Sequence, residues 1–204
     1  MKLKTKCVKL VYPMNNDDAI KNFIDGKVGI FPTDTAYGIG CRIDAVAAVE
    51  RIYKIRNRPE EKALLVLVSS VKMAKQYVEI SHEVEENLID RYWPGGLTII
   101  LTCKKEKIPS VVRANGLTLA VRWPDHKELC KIIEAVGVPI VAPSANFSGG
   151  ETPLDLSEVD KALIDSVDFS ISGVCTIRGV STIIDTTVTP WKIIREGVVE
   201  IINY

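Results

Sequence analysis

The segment ALLVLVS, Ala63 to Ser69, constrains the fold of this chain more than any other stretch. Its apolar residues do not alternate with polar ones, so a strand built from it has no face to offer water and needs cover on both sides. LTIILTC (Leu97 to Cys103) and PIVAP (Pro139 to Pro143) are similar runs, and segments of helical period lie between them. Asn16 opens NDDAIKNFIDG, whose Ala19, Ile20, Phe23 and Ile24 share one helical face up to a stop at Gly26. Asp44 is placed to cap DAVAAVERIYKIR, which Pro59 forbids from continuing. Further helices are expected over Val71 to Val78, from a Ser81 cap through His82 to Tyr92, over His126 to Val136 with Gly137 as the stop, and over Ser157 to Asp165. Short strands are expected at Cys7 to Val11, Val28 to Phe31, Thr118 to Arg122, Val167 to Ile171, Thr182 to Asp185, Lys192 to Arg195 and Val198 to Ile201. The alternation of the two periods predicts an α/β fold in which one twisted mixed sheet is covered by helices.

The chain has 204 residues, the size of one domain, and residues 1–204 are expected to form it. Lysines and arginines number 26, as do aspartates and glutamates, so the net charge of zero excludes a binder driven by overall basicity. A local basic patch stays open. The five cysteines are widely spaced and never arranged as CxxC. They read as reduced thiols of a cytoplasmic protein. No stretch approaches the roughly 20 apolar residues of a membrane span, and the start lacks the apolar run of a signal peptide.

Three loops carry the polar groups. FPTDTAYGIG, Phe31 to Gly40, offers Thr33, Asp34 and Thr35 at a strand exit, either as a cradle for a small polar ligand or as a turn that satisfies its own backbone. RIYKIRNRPEEK, residues 51–62, keeps its basic density beyond the end of a helix, through Arg58 and Lys62. The helix dipole explains cations in the last turn but not those beyond it. Guanidinium forks there suit phosphate oxygens, and a solvated helix end or a nucleic-acid patch is the alternative. PSANFSGGETP, Pro143 to Pro153, could form an anion nest from its N–H groups, Ser144 and Asn146, or be an ordinary surface loop. Arg122 stands at a strand end, where a substrate carboxylate or a plain salt bridge would engage it, and Arg195 stands at another. His82 and His126 lack a nucleophile pattern, and no metal cage is spelled out, so a participating metal would be Mg²⁺ held mainly by substrate phosphates.

Taken in order, these segments resemble the YrdC-like family, the threonylcarbamoyl-AMP synthases, over roughly Asp17 to Val199. PTDTAYGIG, RNRP, PSANFSG, STIIDTT and IIREG each match a family motif. The resemblance implies the YrdC-like (DHBP synthase-like) fold with a concave basic cleft. It also implies a nucleotidyltransferase reaction in which L-threonine, bicarbonate or CO₂, and ATP give threonylcarbamoyl-AMP and pyrophosphate. A partner transferase would then modify tRNAs reading ANN codons. Such chemistry joins two anions, so it calls for charge neutralisation and positioning.

By the same resemblance Arg56 and Arg58 are the expected catalytic residues. Arg58, Lys62, Thr118, Ser144, Asn146, Thr152 and Arg195 would meet ATP, while Thr33, Arg122, Ala142 and Thr182 would meet L-threonine. The chain departs from the family pattern at Arg56, usually Lys, at Val180, often Glu, and at Leu67, a histidine in longer members. It looks like the single-domain bacterial type. The competing expectation is a YrdC-like protein that binds tRNA or double-stranded RNA without synthase activity.

Overall fold

The computed structural model describes residues 15–202, so the strand expected at Cys7 to Val11 lies outside the described residues. Helix α1 (Asn16–Ile24) starts one residue earlier than expected in its cap, because Asn15 accepts a hydrogen bond from the Asp18 amide and leaves Asn16 inside the first turn. Strands β1 (Gly29–Pro32) and β2 (Tyr37–Arg42) form an antiparallel hairpin with Ile30 opposite Ile39. Helix α2 (Val46–Ile55) lacks the expected Asp44 cap. Arg42, two residues away, engages both oxygens of Asp44 at 2.5 and 2.8 Å, and a bidentate guanidinium outcompetes a single backbone N–H.

The chain continues through β3 (Leu65–Leu67), shorter than the ALLVLVS run although Leu64 and Val68 are equally buried, and α3 (Val71–Tyr77), capped by Ser70. Ser81 caps α4 (His82–Val84), which passes through a π-helical turn at Glu85–Ile89 into α5 (Asp90–Tyr92). Then come β4 (Leu97–Thr102), β5 (Thr118–Arg122) and α6 (Lys127–Val136). His126 caps α6 through Nδ1, and Gly137 ends it at φ 79°, a conformation glycine adopts without strain.

Strand β6 (Ile140–Val141) precedes a 3₁₀ turn at Leu156–Glu158 and α7 (Lys161–Ser166). The single helix expected from Ser157 to Asp165 is thus split, because Asp160 turns its side chain onto the Ala162 amide and starts a new helix. Strands β7 (Phe169–Ser170), β8 (Thr182–Asp185) and β9 (Lys192–Arg195) complete the sheet. Val198 to Ile201 is not a strand. Its hydrogen bonds go to the Val180 carbonyl and to the Thr182 hydroxyl instead of to a ladder.

Among the described residues nine strands join in one mixed sheet of order β7-β1-β2-β6-β3-β5-β4-β8-β9, as the apolar patterning predicts. The β3–β5 and β4–β8 pairs are parallel, while β2–β6, β3–β6 and β4–β5 are antiparallel. On one side α1 and α6 cover a cluster of Phe23, Phe31, Leu129, Ile133 and Phe169, with Phe23 edge-on to both other rings at 5.6 and 5.1 Å. The larger core, under α2 and α3, contains Ile52, Tyr53, Val66, Leu88 and Ile99. The β1–β2 turn, the residues after α2, the end of β5 and the loop after β6 are left to converge on one stretch of the sheet.

Candidate functional site

A cavity of about 380 Å³ opens where these segments meet. Its floor is made by residues two apart on neighbouring strands, Leu65 and Leu67 on β3, Thr98 and Ile100 on β4, and Thr118, Ala120 and Arg122 on β5. The two-residue period of a strand puts each set on one face. Above that floor stand four guanidinium groups, those of Arg56, Arg58, Arg122 and Arg195, and among the described residues no carboxylate lines the cavity.

At one end the β1–β2 turn folds over itself. Thr33 donates to the Ala36 carbonyl at 2.8 Å and accepts from the Thr35 and Ala36 amides, so the turn satisfies its own backbone. Arg122 enters from the end of β5 with its guanidinium already engaged. Its Nε donates to the Gly95 carbonyl (3.1 Å), Nη1 to the Thr35 hydroxyl (2.7 Å), and Nη2 to the Thr33 hydroxyl (3.4 Å) and to Asp34. Asp34 is fully buried, and its second oxygen accepts from the Asp125 amide. Burial holds the Arg122 pKa below its usual range, and the adjacent Asp34 offsets only part of that lowering.

The other end is built differently. Helix α2 stops at Ile55, and Asn57 takes φ 50°, a left-handed turn that asparagine tolerates. Arg56 is left under the Ser144–Asn146 loop, 3% exposed. Its Nε donates to the Asn146 carbonyl (2.9 Å) and its Nη2 to Asn146 Oδ1 (3.3 Å) and Ser144 Oγ (3.5 Å). Nη1 is buried and has no hydrogen-bond partner among the described residues. Burial, and then the charge of Arg58, push the Arg56 pKa down to about 10. Arg58, half-buried, holds the Lys62 and Ala63 carbonyls at 3.1 and 2.8 Å. Arg195 folds over Ser181, donating to its carbonyl and hydroxyl, and partial burial followed by the field of Arg122 lowers its pKa.

The profile of the Sua5/YciO/YrdC family, described as "Telomere recombination", matches residues 21–197. The chain belongs to this family. A Pyrococcus abyssi protein named threonylcarbamoyl-AMP synthase is 37% identical over 85% of this chain and 51% of its own length. The chain therefore spans about half the length of that relative, and 46% of a Bacillus subtilis protein of the same name at 34% identity. Among solved structures, P. abyssi Sua5 complexed with L-threonine superposes with a TM-score of 0.84 at 34% identity, covering 89% of this chain and 54% of that one. Escherichia coli YciO gives 0.82 at 27% identity, over 93% and 95%. The YrdC-like fold expected from the motifs is the fold observed.

Of the residues singled out in the sequence, Thr33, Arg56, Arg58, Thr118, Arg122, Ala142, Ser144, Thr152 and Arg195 line the cavity together. Asn146 stands just behind it, accepting from Ser144 Oγ at 2.5 Å and donating to the Gly150 carbonyl at 2.7 Å, which fixes the loop that covers Arg56. Lys62 does not line it. Its side chain is exposed, and its contribution is the backbone carbonyl that holds Arg58 and Tyr53. The side chain of Thr182 is also turned away. Alternation along β8 aims Ser181 and Ile183 at the cavity, while the Thr182 hydroxyl bonds both backbone groups of Val199. Sequence reasoning missed Thr98 and Ser181, joined hydroxyl to hydroxyl at 2.8 Å. The signal for Ser181 was its parity with Ile183.

The donor set of the cavity is guanidinium, hydroxyl and carbonyl. It fits anions. Among the described residues no group of three His, Cys, Asp or Glu side chains could hold a metal, and no helix is long and apolar enough to cross a membrane.

Proposed function

We propose that this chain is a threonylcarbamoyl-AMP synthase, a nucleotidyltransferase that converts L-threonine, bicarbonate or CO₂, and MgATP to threonylcarbamoyl-AMP and pyrophosphate. The observation that carries the reading is a cavity lined by four arginines and, among the described residues, by no carboxylate, one of them, Arg56, keeping a buried Nη1 without a hydrogen-bond partner among those residues. A buried donor without an acceptor costs roughly 1–3 kcal/mol, more when charged, so an arriving anion gains what the protein leaves unmet.

The threonine amine adds to CO₂ and releases one proton to solvent, giving a carbamate, and a carbamate oxygen attacks the α-phosphorus of ATP. The bond from that phosphorus to the β-phosphate bridging oxygen breaks, and pyrophosphate leaves. Both reactants are anions, so the barrier is lowered by cations fixed in advance rather than by a nucleophile. Arg56 and Arg58, with Ser144 on the facing loop, form the end suited to phosphates and the carbamate. Thr118, Thr152 and Arg195 extend that wall along the nucleotide, with Asn146 as a support. Thr33, Thr35 and the Ala142 backbone border the end suited to the amino acid, beside Arg122. Mg²⁺ enters as part of the nucleotide substrate, because no carboxylate among the described residues lines the cavity to hold it. The product would pass to a cytoplasmic transferase acting on tRNA. Nothing favours the RNA-binding alternative, since a donor 3% exposed in a cavity of about 380 Å³ is out of reach of a duplex.

The test is pyrophosphate release from MgATP in bicarbonate with L-threonine, with L-serine, or with no amino acid. Release that needs both threonine and bicarbonate is expected. Equal release without threonine, or silence in a folded sample, refutes the assignment.

A further inference from the structure

The structure assigns a positioning role to Val198, a residue outside the cavity, in setting the affinity of the Arg122 end for its ligand. This rests on the proposed function only in naming that ligand as the amino acid. Two backbone segments hold the Arg122 end from behind. One is the turn after α5, where Gly95 accepts from Arg122 Nε and its own amide donates to the Trp123 carbonyl at 2.8 Å. The other is the strap from Gly173 to Ser181. Its Ile177 amide donates to the Asp34 carbonyl (2.7 Å) and its Gly179 amide to the Thr35 carbonyl (3.0 Å). The strap is anchored at its start by Tyr37, whose hydroxyl bonds both backbone groups of Gly173, and midway by the ion pair of Arg178 with Asp155 at 3.0 Å.

Val198 is the wedge between these two segments. Its amide donates to the Val180 carbonyl at 2.9 Å. A β-carbon added at Gly96 would lie 2.4 Å from Val198 Cγ2, and one added at Gly179 would lie 2.4 Å from Val198 Cγ1. Glycine at both places lets one branched side chain touch two backbones at once. Thr182 secures the wedge by bonding the backbone of Val199. A closed circuit results: Arg122 to Gly95 and Gly96, across Val198 to Gly179, to the Thr35 carbonyl, and from the Thr35 hydroxyl back to Arg122. Removing the two methyls of Val198 opens this circuit at a point that touches neither Arg56 nor the Ser144 loop.

The test compares the full-length protein with Val198→Ala, with Val198→Thr, which keeps the branched shape, and with Gly179→Ala, which crowds the wedge from the opposite side. In Val198→Ala, exchange of the Ile177 and Gly179 amides should accelerate by about tenfold while that of Ile99, in the core of β4, stays unchanged. The threonine KM should rise by about tenfold, with kcat and the ATP KM within about twofold. Val198→Thr should restore both readouts, and Gly179→Ala should reproduce the threonine effect. Equal rises in both KM values, a fall in kcat alone, or unchanged exchange at Ile177 and Gly179 overturns the role. If the unmodified protein shows no threonine-dependent turnover, the proposed function fails and the exchange result alone decides the wedge.

Discussion

Arg122 and Arg56 are both about 3% exposed, yet the protein treats the two charges in opposite ways. Arg122 meets a carboxylate, two hydroxyls and a carbonyl, and its charge is cancelled within the fold. Arg56 meets a carbonyl, an amide oxygen and a hydroxyl, all neutral, and one of its amino groups has no hydrogen-bond partner among the described residues. A buried ion tolerates its lost hydration only when a partner replaces the water. At the Arg122 end that partner is built in, so the end is rigid in advance. At the Arg56 end the partner has to be brought, so the end stores an attraction for anions. A cavity with one end of each kind can hold a small zwitterion by shape and a polyanion by charge.

The largest way to break this contrast is Asp34→Ala. It leaves the buried Arg122 without its counter-charge, and removing one member of such a pair costs about 3–5 kcal/mol. Denaturant unfolding should show a loss of that size together with loss of threonine binding. A loss under about 1 kcal/mol would mean that the hydroxyls and the Gly95 carbonyl alone carry the guanidinium, and that the two ends are alike.

Arg56→Ala should do the reverse, sparing the fold and removing function. The variant takes away a charge that the protein never neutralised, which offsets the loss of its bonds to Asn146 and Ser144, so stability should fall by no more than about 1–2 kcal/mol while turnover falls by roughly 10²-fold or more. Protection against thermal unfolding by pyrophosphate should vanish with it, because a ligand stabilises only the form that binds it. A variant that unfolds like Asp34→Ala would show that Arg56 holds the Ser144–Asn146 loop in place and is not reserved for an anion.

Thr35→Val sharpens the comparison on a smaller scale. The methyl replaces a hydroxyl of similar volume, and Arg122 Nη1 loses its 2.7 Å acceptor in a buried setting. A cost of about 1–3 kcal/mol is expected in unfolding, with a rise in the threonine KM and little change in that for ATP. If the ATP KM moves instead, the threonine end has been assigned to the wrong arginine.

Local signals were legible in this sequence and long-range partnerships were not. Thr118–Arg122, Thr182–Asp185 and Lys192–Arg195 are strands at the expected residues, because their period and flanking turns are local. Ser81 and Gly137 act as the cap and the stop their residue types suggest. Asp44 was misjudged because Arg42 competes for it, and two suitable partners at short range cannot be ranked without geometry. Nine of the residues expected from the family resemblance line one cavity, but Lys62 and Thr182 show that such a resemblance does not tell which way a side chain points. The pairing of Asp34 with Arg122 spans 88 residues, and nothing near either residue announces it. The partnerless Nη1 of Arg56 is further from view, since it consists of a contact not made.

The mildest test changes no residue. Added salt shortens the reach of charges, from about 10 Å at 0.1 M to about 3 Å at 1 M, and acts most on attractions across water-filled space. The Arg56 end draws its ligand by such an attraction, with Arg58 and Arg195 adding to the field and, among the described residues, no lining carboxylate to offset them. The Arg122 end carries its counter-charge at contact distance inside the protein, where salt does not enter. Between 0.05 and 0.5 M KCl the ATP KM should therefore rise by about three- to tenfold, while the threonine KM shifts by less than about twofold. Equal salt dependence at both ends would mean that Asp34 fails to shield Arg122 from the amino acid, and the contrast between a neutralised and an open guanidinium would no longer explain how the cavity could tell the two proposed substrates apart.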